Sequence, residues 1–299
     1  MKKIKYLTRS IILLILLISS CNDPLDKENL TAISNNDVWT IPEVAEAYIN
    51  DIYATFMPGV EVWGFESINT DEATGIYSSA LISGYLNGTI TEDTYNTYPY
   101  DGIRRINIFL DGVDDASFGA DFKERLKGEA LFWRAWAYFE MVKAYGGVPL
   151  VLRPESHTDE EAVFIPRSPT SECYAQIIQD LDDAIDLLPD PSGNGRIDKG
   201  VAMAFKGRVT LFQASPQFNR NNNTQLWQAA YNANTEAADY LSNQGFGLLE
   251  DYDQLWVEEM NKEVVMVRRY SFPESPNGYN QVCLMPLKYA ESGCAGGNM

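Results

Sequence analysis

Between residues 58 and 100 the chain places Trp63, Phe65, Tyr77, Tyr85, Tyr95, Tyr98 and Tyr100 among glycines, threonines and asparagines. A sugar ring shows C–H groups on one face and hydroxyls around its edge. Aromatic side chains cover such a face, while Asp, Asn and Arg hold the hydroxyls. Loop aromatics beside polar residues therefore carry the chemistry of sugar binding, although a single ring more often pins its loop onto a core. Catalytic and metal chemistry finds less support. His157 is the one histidine, which excludes multi-histidine metal sites and leaves a Ser/His/Asp triad one candidate base. Cys21, Cys173, Cys283 and Cys294 form no CxxC pair, so zinc ribbons, iron–sulfur ligation and thioredoxin chemistry are unsupported. Cys283 and Cys294 could pair outside the cytoplasm, but their spacing alone does not establish it. Asp114/Asp115 and Asp182/Asp183 are the kind of carboxylate pairs a glycoside hydrolase uses. Asp182 and Asp183, however, fall on the polar face of a predicted helix, and Asp114/Asp115 have no cleft pattern around them. Asp190, Ser192, Asn194 and Asp198 imitate the first positions of an EF-hand loop, yet Val201 stands where the bidentate Glu belongs. No cofactor or metal is expected.

The N-terminus reads as an address. Lys2, Lys3, Lys5 and Arg9 precede an unbroken apolar run from Ile11 to Ile18, followed by Ser19, Ser20 and Cys21. A charged start, a short apolar core and small residues make a secretory signal peptide. The apolar run is far shorter than the roughly 20 residues that span a bilayer. Ile18-Ser19-Ser20-Cys21 resembles the bacterial lipobox, which implies cleavage before Cys21 and lipid attachment to its thiol. Several acyl chains anchor a protein stably where one is marginal. Residues 1–20 are thus expected to be a lipoprotein signal peptide, and residues 21–36, polar and acidic, a lipidated tether.

The body, residues 37–299, reads as helices. Thr40 and Glu43 form a capping box with Pro42 in the first turn, and Val44, Tyr48, Ile52 and Phe56 mark one face to about Met57. Asp101 is expected to cap a second helix carrying Ile103, Ile106, Leu110 and Val113. A third runs from about Asp121 to Tyr145, with Phe122, Leu126, Ala130, Trp133, Ala137 and Met141 at steps of three and four. Trp133, Trp136, Tyr138 and Phe139 lie on more than one of its faces, which fits packing better than a sugar site, and Arg134 beside them reads as a structural donor. Gly146-Gly147 ends this helix. Ser168 and Pro169 open a fourth, with Tyr174, Ile177, Leu181 and Ile185 inward. Asp198 caps a fifth, with Ala202, Phe205 and Val209, and a sixth runs from near Thr224 to Gly245. The fold class is mainly α: antiparallel helix pairs stacked as in tetratricopeptide repeats, with long irregular loops, although no clean 34-residue period emerges. Residues 263–270 read as a strand, in a small strand and loop region at the C-terminal end.

Residues 128–151, GEALFWRAWAYFEMVKAYGGVPLV, closely resemble the hallmark helix of the SusD/RagB family. Other segments agree in order. Cys21 to Asp26 is similar to the family's mature start. Tyr100, Ile103 and Asn107 match its Y-x-x-I-x-x-x-N helix. Pro166-Arg167 with Asp180, Leu181 and Leu188-Pro189 fits the next helix, and Gly195 to Ala202, Arg208 and Ala214-Ser215-Pro216 fit the one after. The resemblance covers Cys21 to about Tyr270. It implies a non-enzymatic surface lipoprotein of Bacteroidetes, lipid-anchored in the outer membrane and facing the exterior. It implies capture of a glycan ligand and its delivery to a SusC-like TonB-dependent transporter for nutrient uptake. Members usually continue further, so the helical domain is expected to be incomplete at its C-terminal end. Tyr95 and Tyr98 lie near where the family often places a binding aromatic. With Tyr85 they are the candidate glycan-binding residues; Trp63, Tyr270 and Tyr279 are weaker choices.

The charge balance agrees. Lys+Arg number 23 against 42 Asp+Glu, a formal net charge of −19, which disfavours nucleic acid as a partner. Two alternatives stay open on the residues alone: a helical-repeat adaptor lipoprotein that binds protein or peptide, and, with less support, a glycoside hydrolase.

Overall fold

The computed structural model describes residues 35–58, 88, 98–156, 158, 164–191, 195–258 and 260–271. Helix α1 spans Asn35–Thr40, α2 Pro42–Phe56, α3 Tyr100–Gly112, α4 Ala120–Tyr145, α5 Thr170–Leu187, α6 Lys199–Ala214 and α7 Thr224–Asn243. Single 3-10 turns occupy Val113–Asp115 and Tyr252–Trp256. The protein is mainly α, and no strand occurs among the described residues.

Cross-helix partners fix the directions. Between α4 and α5, Gly128 meets Leu188, Arg134 binds Asp180 and Gly146 meets Thr170. One number rises as the other falls, so the two run antiparallel. Between α5 and α6 the partners are Tyr174 with Phe218, just past α6, and Asp182 with Lys206. Between α6 and α7 they are Gly200 with Leu241 and Gly207 with Asn234. Consecutive helices therefore stack as antiparallel neighbours. Close approach has local causes: a Cβ on Gly128 would stand 2.9 Å from Leu188 Cγ, inside normal contact distance.

Helix α4 is the centre. Leu126, Ala130, Trp133, Ala137 and Met141, at the steps of three and four, are all buried, and so are Phe132, Tyr138 and Phe139 on other faces. A helix buried on more than one face needs neighbours on several sides, and α4 packs against α2, α3 and α5. Trp133 is the hub, with ring centroids 5.1 Å from Tyr53, 5.2 Å from Phe132 and 5.9 Å from Trp136.

Several termini differ from the sequence reading. Thr40 belongs to α1, so Ile41 is the N-cap of α2, and the Thr40/Glu43 box does not close that helix. Pro42 at the first position sets the start instead. Pro99 precedes α3, and Asp101 sits within its first turn, where its charge still complements the helix dipole. Helix α5 begins at Thr170 with Pro169 as N-cap, one residue later than Ser168-Pro169 implies. Asp198 does cap α6, its carboxylate accepting from Val201 N at 3.0 Å. The expected strand at 263–270 does not form. Turns bound it at its start instead: Gly247 N donates to Lys262 O and Val264 N to Asn261 O, both at 3.1 Å. Buried Asn261 closes the turn, donating to Glu258 O at 2.8 Å and accepting from Glu263 N at 2.9 Å. Val265 and Met266 both pack on the helical core, whereas a strand would turn successive side chains to opposite faces.

Two buried charge sites join segments distant in sequence. Arg134 forks onto Asp180, Nε to Oδ2 at 2.8 Å and Nη2 to Oδ1 at 2.7 Å. Glu129 receives the fork of Arg196, Nε to Oε1 at 2.9 Å together with Nη2 to Oε2, and also Arg125 Nη1 at 3.0 Å. Removing one partner of a buried pair strands the other charge, at a cost of about 3–5 kcal/mol. Asp180→Ala should lose stability of that order in urea unfolding followed by circular dichroism. A loss below about 1 kcal/mol, the range of exposed pairs, would show that Arg134 is not held by this contact.

Candidate functional site

The C-terminal end of α4 is built to hold a surface. Gly146 takes φ 72°, a left-handed conformation that stops the helix. Arg167 then forks onto the freed carbonyls, Nη2 to Tyr145 O at 2.6 Å and Nε to Gly147 O at 2.7 Å. Residues 147–152 fold back as a strap tied by side chains. Tyr138 Oη donates to Val151 O at 2.9 Å and accepts from Val151 N at 2.7 Å. Asn107 Nδ2 donates to the same carbonyl at 2.8 Å, and Tyr100 Oη to Pro149 O at 3.0 Å. Against this frame the ring of Tyr98 stacks on Tyr145, centroids 4.8 Å apart and planes 15° from parallel. Tyr98 is 55% exposed. A part-exposed aromatic ring stacked on a helix end is a platform that can accept the C–H face of a sugar.

At the C-terminal end of α2, Arg268 Nη1 donates to Met57 O at 2.9 Å, and its guanidinium lies 5.4 Å from the centre of the Tyr270 ring. Tyr53, Ala54, Met57, Gly195, Arg268, Arg269 and Tyr270 line a cleft of about 280 Å³. Arg196 holds the Gly195 side of this cleft, through Glu129 and through Asn50 Oδ1 at 2.9 Å. Tyr53 Oη accepts from Ile197 N at 2.8 Å. A strand at 263–270 would have sent Arg268 and Arg269 to opposite faces. The irregular backbone lets both border one cleft, which the strand reading concealed. The sequence signal was two adjacent arginines and a tyrosine in a strongly acidic chain.

Of the three candidate tyrosines, Tyr98 is placed on the surface described above. Tyr85 and Tyr95 lie outside the described residues, as do Cys21, Trp63, His157, Tyr279, Cys283 and Cys294. Cys173 is a buried free thiol whose proton is retained more firmly because burial pushes its pKa up. The carboxylate pairs have ordinary partners: Asp114 binds Lys127, Asp182 binds Lys206, and Asp183 accepts from Gln179. In the EF-hand-like stretch Asp190 accepts from Tyr240 Oη at 2.6 Å, and Asp198 is spent on its helix cap. Among the described residues no cluster of three or more His, Cys, Asp or Glu could hold a metal, and no helix is long and apolar enough to cross a membrane.

The stacked helix pairs thus carry the Tyr98–Tyr145 stack at the end of α4 and the arginine-lined cleft at the end of α2. The chain belongs to the SusD-like family: the family model described as "Starch-binding associating with outer membrane" matches residues 31–211. It is 25% identical to the SusD-like protein P38 of Formosa agariphila over 93% of this chain and 56% of that protein. Among solved structures, a SusD-like protein of Bacteroides fragilis superposes with a TM-score of 0.60 at 26% identity, covering 83% of this chain and 48% of that one. A laminarin-binding SusD-like protein gives 0.56 at 26% identity, covering 75% and 50%. The chain spans about half the length of these relatives.

The tyrosines beneath the platform give a readout of its frame. Burial raises the pKa of Tyr100 to about 12 from an ordinary 10.0 and drives Tyr138 higher still. Above pH 10 the unfolded chain releases these protons while the folded chain keeps them, so stability must fall as pH rises. Unfolding free energy measured across this range should decline from about pH 10 upward. Tyr138→Phe should flatten the decline, and an unchanged slope would contradict the burial of that hydroxyl.

Proposed function

We propose that the protein captures glycans at the cell surface without chemistry of its own and passes them to a SusC-like TonB-dependent transporter for uptake. The observation that carries this reading is the exposed Tyr98 ring stacked on Tyr145 in a chain of the SusD-like family. The helix-end frame beneath it is tied by side-chain hydrogen bonds, and such preorganisation limits the ordering cost of binding. Tyr85 and Tyr95, which precede Tyr98 in the sequence, are proposed as further ligand contacts. Residues 1–20 act as a lipoprotein signal peptide, Cys21 carries the lipid, and the stretch from Cys21 to the start of α1 at Asn35, two residues shorter than the sequence reading of 21–36, tethers the helical body to the outer membrane.

Titration calorimetry of residues 22–299, first shown to be helical by circular dichroism, against plant, host and microbial polysaccharides should find binding to one glycan class. Tyr98→Ala should weaken that binding by roughly fivefold to tenfold, the worth of one aromatic stacking contact, while leaving the helical spectrum unchanged. A folded sample that ignores every glycan would overturn the proposal. A large outer-membrane transporter should co-purify from gently extracted membranes.

Anchoring has its own test. A palmitate analogue fed to cells should label the wild-type chain and not Cys21→Ala, and equal labelling would refute the lipid site.

A further inference from the structure

The cleft beside α2 gathers positive charge in an acidic chain. The chain carries −19 overall, yet the cleft is lined by Arg268 and Arg269 with no acidic residue among Tyr53, Ala54, Met57, Gly195 and Tyr270. Most arginines buried or half-buried elsewhere are spent on carboxylates: Arg125 and Arg196 on Glu129, Arg134 on Asp180. Arg268 and Arg269 are exposed and pair with no carboxylate among the described residues. Arg268 uses one N–H on Met57 O, so the remainder of a five-donor fork faces outward. Arg269 is positioned through its stem. Gly195 has φ 81°, and a Cβ there would stand 3.1 Å from Arg269 Cδ and 3.3 Å from Cγ. The aliphatic part of the side chain thus lies on bare backbone, and its head is left for a ligand. Tyr270 supplies a ring beneath Arg268.

Two guanidiniums and two tyrosines around about 280 Å³ match a sugar unit with anionic oxygens. We infer that this cleft binds an acidic sugar, one bearing a carboxylate or a sulfate ester, so that the captured glycan is an anionic polysaccharide. Guanidinium recognises both oxyanions through paired, charge-assisted hydrogen bonds. A neutral glycan would leave two cations without counter-charge in the site. The inference rests on the glycan-capture reading and narrows it.

Affinity electrophoresis and calorimetry of the chain would compare polygalacturonate and a sulfated galactan with two neutral glycans, an unsulfated galactan and laminarin. At least one acidic polymer should bind, with the neutral ones about tenfold weaker or worse. The two acidic arms distinguish carboxylate from sulfate. Arg269→Ala should weaken the acidic binding by about tenfold, the range of one charged hydrogen bond, and Arg269→Lys should restore part of it. Circular dichroism checks each variant, and Arg268→Gln serves as a second one if Arg269→Ala fails to fold. Neutral glycans bound as tightly as acidic ones, or acidic binding indifferent to both arginines, would overturn the inference and leave glycan capture standing. Binding to none of the four polymers, nor to the wider polysaccharide panel, would overturn both.

Discussion

Arg134 stands almost wholly inside the protein, 8% exposed, against an Asp180 that is 1% exposed. Taking a guanidinium and a carboxylate out of water costs several kcal/mol for each ion, and only good geometry with further hydrogen bonds offsets it. Here the fork is matched on both arms, Gln176 Nε2 adds a bond to Asp180 Oδ1 at 2.8 Å, and Asn107 Oδ1 accepts from Arg134 Nη1 at 3.1 Å. The pairing is directional in a way that apolar packing is not. A slip of α5 along α4 by one turn would separate the charges by about 5 Å and leave both stranded. The same guanidinium reaches Leu152 O at 3.4 Å, so the register of two helices and the course of the strap after α4 are set by one side chain.

That strap carries the consequence outward. Val151 and Pro149 are held by Tyr138, Asn107 and Tyr100 from α3 and α4, and Arg167 locks the carbonyls on which Tyr145 ends its helix. Tyr98 stacks on the ring so fixed. The exposed platform therefore inherits its position from a buried ion pair through a chain of hydrogen bonds. Glu129 does the equivalent work on the other flank. It gathers Arg125 and Arg196 and, through them, Glu46 of α2, which places the turn at Gly195 against Arg269. In both cases a buried carboxylate on one helix and an arginine from another element are spent on position.

The helical body was legible because its apolar steps of three and four coincide with real burial. Leu126, Ala130, Trp133, Ala137 and Met141 show this for α4, and Tyr174, Ile177 and Leu181 for α5. Helix starts were harder. Thr40, Asp101 and Ser168 each have the chemistry of a cap, but Pro42, Pro99 and Pro169 fix the backbone angle nearby and decide where the helix begins. The strand at 263–270 misled because Val264, Val265, Met266 and Val267 have strand composition, whereas strand formation depends on a partner edge that composition does not reveal. The hallmark helix pointed to the family, and the loop aromatics to sugar chemistry. The arginine cleft was hidden because Gly195 and Arg269 are brought together by Arg196 and Glu129, residues whose pairing no local pattern announces.

The two surfaces differ in what they can contribute. A tyrosine face binds the apolar side of most pyranose rings with little discrimination, since every such ring has C–H groups to bury. A guanidinium pair discriminates sharply, because an oxyanion satisfies it and a hydroxyl does so only weakly. The net negative charge of the molecule opposes any polyanion at a distance, but beyond about 8 Å that repulsion is largely screened at physiological salt. At contact range the charges among the described lining residues are those of Arg268 and Arg269. A glycan whose acidic groups are spaced along the chain can set one of them between Arg268 and Arg269 and keep the others in solvent. Division of labour between a permissive aromatic platform and a selective cationic cleft would let a largely acidic protein take up an acidic polymer.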